Sequence, residues 1–275
     1  MIDVTLPHLR CPVCGEPLDR RNNAVRCARD HSFDIARQGY VNLTVGRSRH
    51  PGDTAEMVAD RVAFLDAGHY EFAAAAVAAT ATAAVAATAA GRHEGLVLDA
   101  GTGTGHYLAR VLDAAPGVVG LGLDVSKPAL RRAARAHPRA GAALADLWQR
   151  LPVADAAARL VLNVFAPRNG PEFHRVLRAD GLLLVVTPAA DHLAELIDAY
   201  GLIQVDPDKA GRTAASLERW FVRQRRTELR RTLHLTGAEV ATLIGMTPSA
   251  RHVTPPDGDG HTVTAAVELG VYRKR

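Results

Sequence analysis

Apolar runs in this chain change rhythm at Gly95. From there on, short blocks of consecutive apolar residues are separated by longer amphipathic stretches. Such blocks read as strands buried on both faces, with helices between them. The pattern predicts strands at Leu96 to Asp99, Val118 to Asp124, Ala142 to Ala145 (closing at Asp146), Leu160 to Phe165 and Leu182 to Thr187. Helices are predicted over Tyr107 to Ala115, from behind Ser126 to Ala136 with Ser126 as N-cap, over Pro171 to Leu177, and from about Asp191. Val263 to Tyr272 reads as a closing β segment. Upstream, Thr54 to Ala67 predicts a helix stopped by Gly68, and Ala73 to Ala90 a helix of high alanine propensity. Alternating strands and helices argue for a doubly wound α/β sheet, whose ligand crevice lies beyond the carboxyl ends of its strands.

Ahead of the sheet the rhythm is lost. Thr44 to Glu56 is polar and holds Arg47, Arg49, His50, Pro51, Gly52 and Asp53, which predicts a linker or mobile loop. The chain therefore divides into a module at 1–42, a linker and helix at 43–70, and a sheet domain at 71–275. At 275 residues and 48% hydrophobic content it can bury a sizeable core. The formal charge of +4 permits an anionic partner without requiring one. No apolar stretch is long enough to span a bilayer, and Met1-Ile2-Asp3-Val4 lacks a basic-then-apolar leader. The expectation is a cytoplasmic protein with no membrane partner.

The turn after the first of these strands carries the chemistry. It reads Asp99-Ala100-Gly101-Thr102-Gly103-Thr104-Gly105-His106. Glycines there let the backbone turn tightly and let a ligand approach. A dinucleotide fingerprint needs a third glycine where His106 stands, and a phosphate loop needs a Lys-Ser/Thr pair that is absent. Asp124, ending the next strand, can accept both hydroxyls of a ribose. The acid-x-Gly-x-Gly-x-Gly spacing resembles motif I of class I S-adenosylmethionine methyltransferases.

All three cysteines lie near the start, in the pattern Cys11-x2-Cys14-x12-Cys27-x3-His31. An odd, clustered set argues against a disulfide framework. Two close pairs of soft and borderline ligands fit one tetrahedral zinc ion, and a filled shell makes that zinc structural. So small a module draws most of its folding free energy from the metal.

A wider resemblance joins these signals. Phe33-Asp34-Ile35-Ala36-Arg37-Gln38-Gly39-Tyr40 follows the cysteines, and Phe64-Leu65-Asp66-Ala67-Gly68-His69-Tyr70 comes next. Later stand Leu123-Asp124-Val125-Ser126-Lys127, Asn163-Val164-Phe165-Ala166-Pro167-Arg168-Asn169, and Thr187-Pro188 with Asp191-His192-Leu193. In this order the segments resemble the 23S rRNA guanine-N1 methyltransferases, a family that includes tylosin-resistance enzymes of macrolide-producing actinobacteria, and Asn163 to Asn169 resembles that actinobacterial branch more than the enterobacterial one. The resemblance implies a class I S-adenosylmethionine methyltransferase fold with an N-terminal zinc-binding, RNA-recognising module, methylation of a guanine in a 23S rRNA hairpin loop, macrolide resistance, and pairing as a homodimer. It implies Cys11, Cys14, Cys27 and His31 as zinc ligands. Tyr70, Thr104, Gly105 and His192 match cofactor-holding positions, and Asp99, Gly101, Gly103 and Asp124 match the general class I pattern. The family's Glu in the turn is Thr104 here, which leaves a backbone contact and puts a side-chain contact in question.

Other assignments stay open at this level. Asn163, Phe165 and Pro167 end the fourth strand, where class I enzymes grip the target base. Asn163 or nearby carbonyls can bond a purine edge, and Phe165 can stack on the base or belong to the core. Asp146 can accept the adenine amino group or favour a helix start. RNA phosphates can meet Arg219 to Arg231, Arg131, Arg132, Arg135 and Arg139, or Arg20, Arg21, Arg26 and Arg29 of the zinc module. Two rival functions remain: a class I methyltransferase for a small natural product, and a non-catalytic zinc-ribbon nucleic-acid binder.

Overall fold

Continuous burial along the central strands, on both faces, decides the architecture. The computed structural model describes residues 2–46, 51–87, 95–203, 216–253 and 260–275. Arg47, Arg49, His50 and the end of the expected alanine helix, 88–90, lie outside the described residues. The strands of the sheet domain are β5 (Gly95–Ala100), β6 (Val118–Asp124), β7 (Ala140–Leu144), β8 (Ala158–Val164), β9 (Leu177–Pro188), β10 (Phe221–Leu235) and β11 (His261–Lys274). With the short β4 (Val41–Asn42) they form one sheet in the order β10-β11-β9-β8-β5-β6-β7-β4. β4 through β9 run parallel, and β10 and β11 close the far edge antiparallel. The strand order reverses between β5 and β8, which puts a switch point and its crevice there.

Alternate residues of these strands enter different cores. Val97, Leu160, Leu162 and Leu184 pack under α2 (Glu71–Ala87) and α3 (His106–Ala114), through Val77, Ala81, Leu108 and Leu112. The alanine-rich α2 is thus a packed helix. α4 (Lys127–Ala133) covers β7 on the same side, with Ser126 as its N-cap accepting from Ala129 N–H. Leu96, Leu98, Leu121, Val161 and Leu183 face the other way, toward α5 (Gly170–Val176) and the N-terminal module. A third cluster joins α1 (Ala55–Asp66), α6 (Ala194–Tyr200), α7 (Gly237–Gly245) and the ends of β10 and β11.

The module consists of a 3-10 helix, Ile2–His8, and a small antiparallel sheet of β1 (Asp19–Arg21), β2 (Ala24–Arg26) and β3 (Ser32–Asp34). Its core is not separate. Ile2, Leu9, Cys11, Leu18, Val25 and Ile35 belong to the cluster that holds Leu96, Leu121 and Leu183. The 3-10 helix lies so close that a Cβ on Gly141 of β7 would come 2.5 Å from Thr5 Oγ1.

One expectation changes. Of the stretch expected as a linker or mobile loop, the described segment at Gly52 and Asp53 is a strap packed on the rim of the sheet. Leu43 N–H donates to Leu144 C=O at 3.0 Å. Further on, the Asp53 carbonyl accepts Ser126 Oγ–H at 2.7 Å, and a Cβ on Gly52 would meet Ser126 Cα at 2.7 Å. Most of the Arg-rich stretch lies in the edge strand β10, with its arginines on the exposed surface. Thr54 caps α1 as expected, accepting from Met57 N–H.

Candidate active site and metal centre

The metal centre needs no rearrangement to receive zinc. Gly15 N–H bonds back to Cys11 C=O at 2.8 Å and closes the first knuckle. Asp30 N–H does the same for Cys27 at 3.0 Å. These turns bring Cys11, Cys14, Cys27 and His31 together with all ligand atoms within 4.8 Å of one another. Zinc at about 2.3 Å from sulfur and about 2.0 Å from nitrogen sets tetrahedral edges of roughly 3.5–3.8 Å. The Cys14–Cys27 sulfur pair is 3.6 Å apart, and His31 Nδ1 is 3.6 Å from Cys11 Sγ and 3.3 Å from Cys27 Sγ. Four protein ligands fill the shell, so the ion is structural.

The second site lies where β5, β6 and β8 end. Gly101 takes a φ of +87°, and a Cβ there would come 2.3 Å from Ala166 Cβ. Only glycine lets the turn after β5 close against the segment after β8. Asp124 is held by backbone donors, Oδ2 from Gly103 and Oδ1 from Ser126, each at 2.8 Å. Each oxygen keeps a further lone pair, which suits a vicinal diol. Asp99 is buried beneath the turn, with Oδ2 accepting the Thr102 hydroxyl at 2.7 Å and Oδ1 without a partner. Thr102 escaped the sequence reading, although its place three residues after Asp99 was a usable signal. Thr104 is buried in the same turn, and the neighbouring Tyr107 hydroxyl and Arg61 Nε are also buried without partners. Asp146 is buried and accepts Trp148 N–H at 3.0 Å. A turn follows it, not a helix, so the helix-start alternative falls away.

Tyr70 and His192 meet across the fold at 3.2 Å, hydroxyl to Nε2. Ala266 N–H donates to His192 Nδ1, so the ring's single proton sits on Nε2 and donates to Tyr70. Phe165 completes the group. Its ring lies 6.2 Å from His192, nearly parallel, and 6.3 Å from Tyr70. The residue is 37% exposed and held at φ +52°, so it is not ordinary core. A bulky residue in that region is strained, and such strain collects at working sites. Asn163 is fully buried, with Nδ2 donating to Ala100 C=O at 3.0 Å and Pro167 C=O at 2.9 Å. Its amide nitrogen ties the ends of β5 and β8 together, while Oδ1 is buried without a partner. Pro167 enters the site through that carbonyl.

Two buried groups titrate in opposite senses. Burial pushes Asp99 up to about 7, opposed by the Thr102 hydroxyl and helped by Asp124. Burial lowers His192 to about 4. Asp99's contribution to stability is full at low pH and is lost as pH rises toward 7. That of His192 is lost as pH falls from about 6.5 toward 4. Between these limits the two slopes oppose each other in the wild type. Asp99→Asn removes one of them. The unfolding free energy of the variant, relative to wild type, is expected to climb by up to about 4 kcal/mol from pH 4 to pH 7, at about 1.4 kcal/mol per pKa unit. Denaturant titrations across that range check it, and parallel curves contradict it.

Of the basic candidates, several are taken up inside the fold. Arg139 donates to the carbonyls of Leu112, Ala115 and Val118 and serves α3 rather than a phosphate. Arg226 pairs with Glu268, and Arg230 with Asp191 and Glu228. Arg20 pairs with Asp3, and Arg29 approaches Glu16. Arg21, Arg26, Arg131, Arg132, Arg135, Arg223, Arg225 and Arg231 are exposed.

The sheet order, the glycine turn and the acid ending β6 define a class I S-adenosylmethionine-dependent methyltransferase, here joined to a zinc ribbon. Residues 9–45 match the family model described as RlmA, N-terminal. The chain is 57% identical to a 23S rRNA (guanine-N(1)-)-methyltransferase of Micromonospora griseorubida, over 98% of each chain. It is 50% identical to the 23S rRNA (guanine(748)-N(1))-methyltransferase of Streptomyces fradiae, over 91% of this chain and 88% of that one. It belongs to the 23S rRNA (guanine-N1)-methyltransferase family. Among solved structures, the complex of the Haloferax volcanii Trm112 methyltransferase activator with its methyltransferase shares the fold, with a TM-score of 0.51, 16% identity, and coverage of 82% of this chain and 98% of that one.

Proposed function

We propose that this protein transfers a methyl group from S-adenosylmethionine to N1 of guanine 748 in a 23S rRNA hairpin loop, the position named for the Streptomyces fradiae relative. The observation that carries the reading is 50% identity to that relative across nearly the whole chain. The crevice chemistry supports it. When bound, the cofactor supplies an electrophilic methyl on a sulfonium. Asp124 would accept the ribose hydroxyls, Asp146 the adenine amino group, and the turn at Gly101, Gly103, Thr104 and Gly105 would line the amino-acid part beside Asp99. Tyr70 and His192 would wall that end. Phe165 would stack on the flipped guanine and keep water from the reacting atoms.

Asn163 acts by holding Pro167 and Ala100 in register. Asn163→Ala takes this donor from the buried Ala100 carbonyl and the part-buried Pro167 carbonyl, at a cost of about 1–3 kcal/mol. Turnover at saturating cofactor is expected to fall with it. Unchanged turnover removes Asn163 from the site.

The family resemblance further supports macrolide resistance of the tylosin type, action in the cytoplasm and work as a homodimer. The exposed arginines of the zinc ribbon and of α4 suit a phosphate cage around the hairpin. No helix among the described residues is long and apolar enough to cross a membrane. An acceptor screen separates the readings: labelled methyl enters 23S rRNA fragments and not a free natural product. Labelling of the small molecule alone reverses that conclusion, and absence of cofactor binding favours a non-catalytic binder.

A further inference from the structure

One guanidinium beside the glycine turn has no part in the scheme so far. Arg61 projects from α1 toward Gly103, with its Cδ 3.8 Å from where a Cβ on that glycine would stand. Its Nη2 donates to Asp53 Oδ2 at 2.7 Å and to the Met246 carbonyl, past the end of α7, at 2.8 Å. These bonds fix the head group between the strap and α7. Nε, which shares its edge of the fork with the already occupied Nη2, is buried and has no partner. A buried donor left empty is costly, and one charge-assisted bond from a guanidinium N–H to a carboxylate satisfies it.

The surroundings point the same way. Tyr107 Oη and Asp99 Oδ1 are buried without partners at the same strand ends. The charge of Arg61 acts on both Tyr70 and Tyr107, opposing the upward push of burial on each phenol. An acceptor for Arg61 Nε–H and Tyr107 Oη–H, with a donor for Asp99 Oδ1, is therefore what this corner lacks, and the carboxylate and ammonium of one amino-acid group supply both. In the cofactor assigned above, the one anionic group is the α-carboxylate of its methionine part. Asp124 lies across Gly103, bonded to that residue's N–H, and suits the ribose end.

We propose that Arg61 binds the α-carboxylate of S-adenosylmethionine through its unpartnered Nε–H and so fixes how far the sulfonium reaches into the crevice. The inference rests on the cofactor reading of this site. It makes Arg61 a cofactor-binding residue, with Asp53 and the Met246 carbonyl as its brace.

Calorimetry on the zinc-loaded full chain tests it, with two probes: S-adenosylhomocysteine, and its decarboxylated analogue, which keeps the adenosine and the ammonium. Wild type is expected to prefer the carboxylate form by about tenfold or more, the usual worth of a charge-assisted hydrogen bond. Arg61→Met should weaken S-adenosylhomocysteine by about tenfold to a hundredfold and the analogue by less than about twofold. Asp53→Asn removes the charge but keeps an oxygen that accepts from Nη2, so Arg61 stays in place and the preference should survive. If Arg61→Met does not unfold cooperatively, Arg61→Lys decides, and it must lose part of the preference. Equal weakening of both probes, or loss of the preference in Asp53→Asn to the same extent, overturns the proposal and leaves Arg61 a tether. Wild type binding both probes equally also overturns it while the cofactor reading stands. Wild type binding neither sinks both.

Discussion

Removing zinc, by a chelator or by Cys11→Ser, is expected to unfold the first forty or so residues and to weaken the sheet domain with them. Structural zinc supplies on the order of 10 kcal/mol to small domains that cannot fold without it. Here Cys11 and Cys27 are buried in the same cluster as Leu96, Leu121 and Leu183, and β4 extends the main sheet beside β7. Loss of the ion therefore opens one face of the central strands. The main melting transition should drop by at least about 10 °C, since each kcal/mol is worth roughly 2–4 °C in a domain of this size. Hydrogen exchange should show fast exchange at β1 to β4 and added exposure at β6 and β7. An unchanged transition and unchanged protection contradict it. Truncation at residue 42 is the poorer test, because it strips Leu9, Val25 and Ile35 from a shared core.

Phe165→Ala is expected to lower kcat/KM for RNA by about tenfold to a hundredfold, the worth of one base stacked on an aromatic ring. Affinity for S-adenosylhomocysteine should change by less than about twofold, because Asp124 and the glycine turn are untouched. Stability should hold too. The ring is partly exposed, and the backbone strain at φ +52° is carried by either residue. Steady-state kinetics on a hairpin fragment, with calorimetry on the product cofactor, separates these effects. A full rate in the variant makes Phe165 a wall residue only.

The strands at Gly95–Ala100 and Val118–Asp124 were legible because continuous apolar blocks have one use in a parallel sheet. Ser126 was legible as a cap, and the zinc ligands by spacing alone. What escaped reading depends on contacts between distant segments. β9 begins at Leu177, through polar Arg178 and Asp180, because exposed strand ends tolerate charge. β10 carries exposed arginines along an edge strand, where side chains are free to be polar, so no apolar block marked it as a strand. The strap at Gly52 and Asp53 looked like a linker, since nothing local to it reveals that Ser126 lies beneath. Arg61 was hidden for the same reason: its partners sit at 53 and 246. Tyr70 and His192 came from the family resemblance, and the bond between them became visible only in three dimensions.

The most direct measurement is mass mapping of 23S rRNA after incubation with the zinc-loaded protein and S-adenosylmethionine. The account predicts one added methyl, at N1 of guanine 748. Methylation at another atom or nucleotide, or none on RNA that is a competent substrate for a related enzyme, contradicts it.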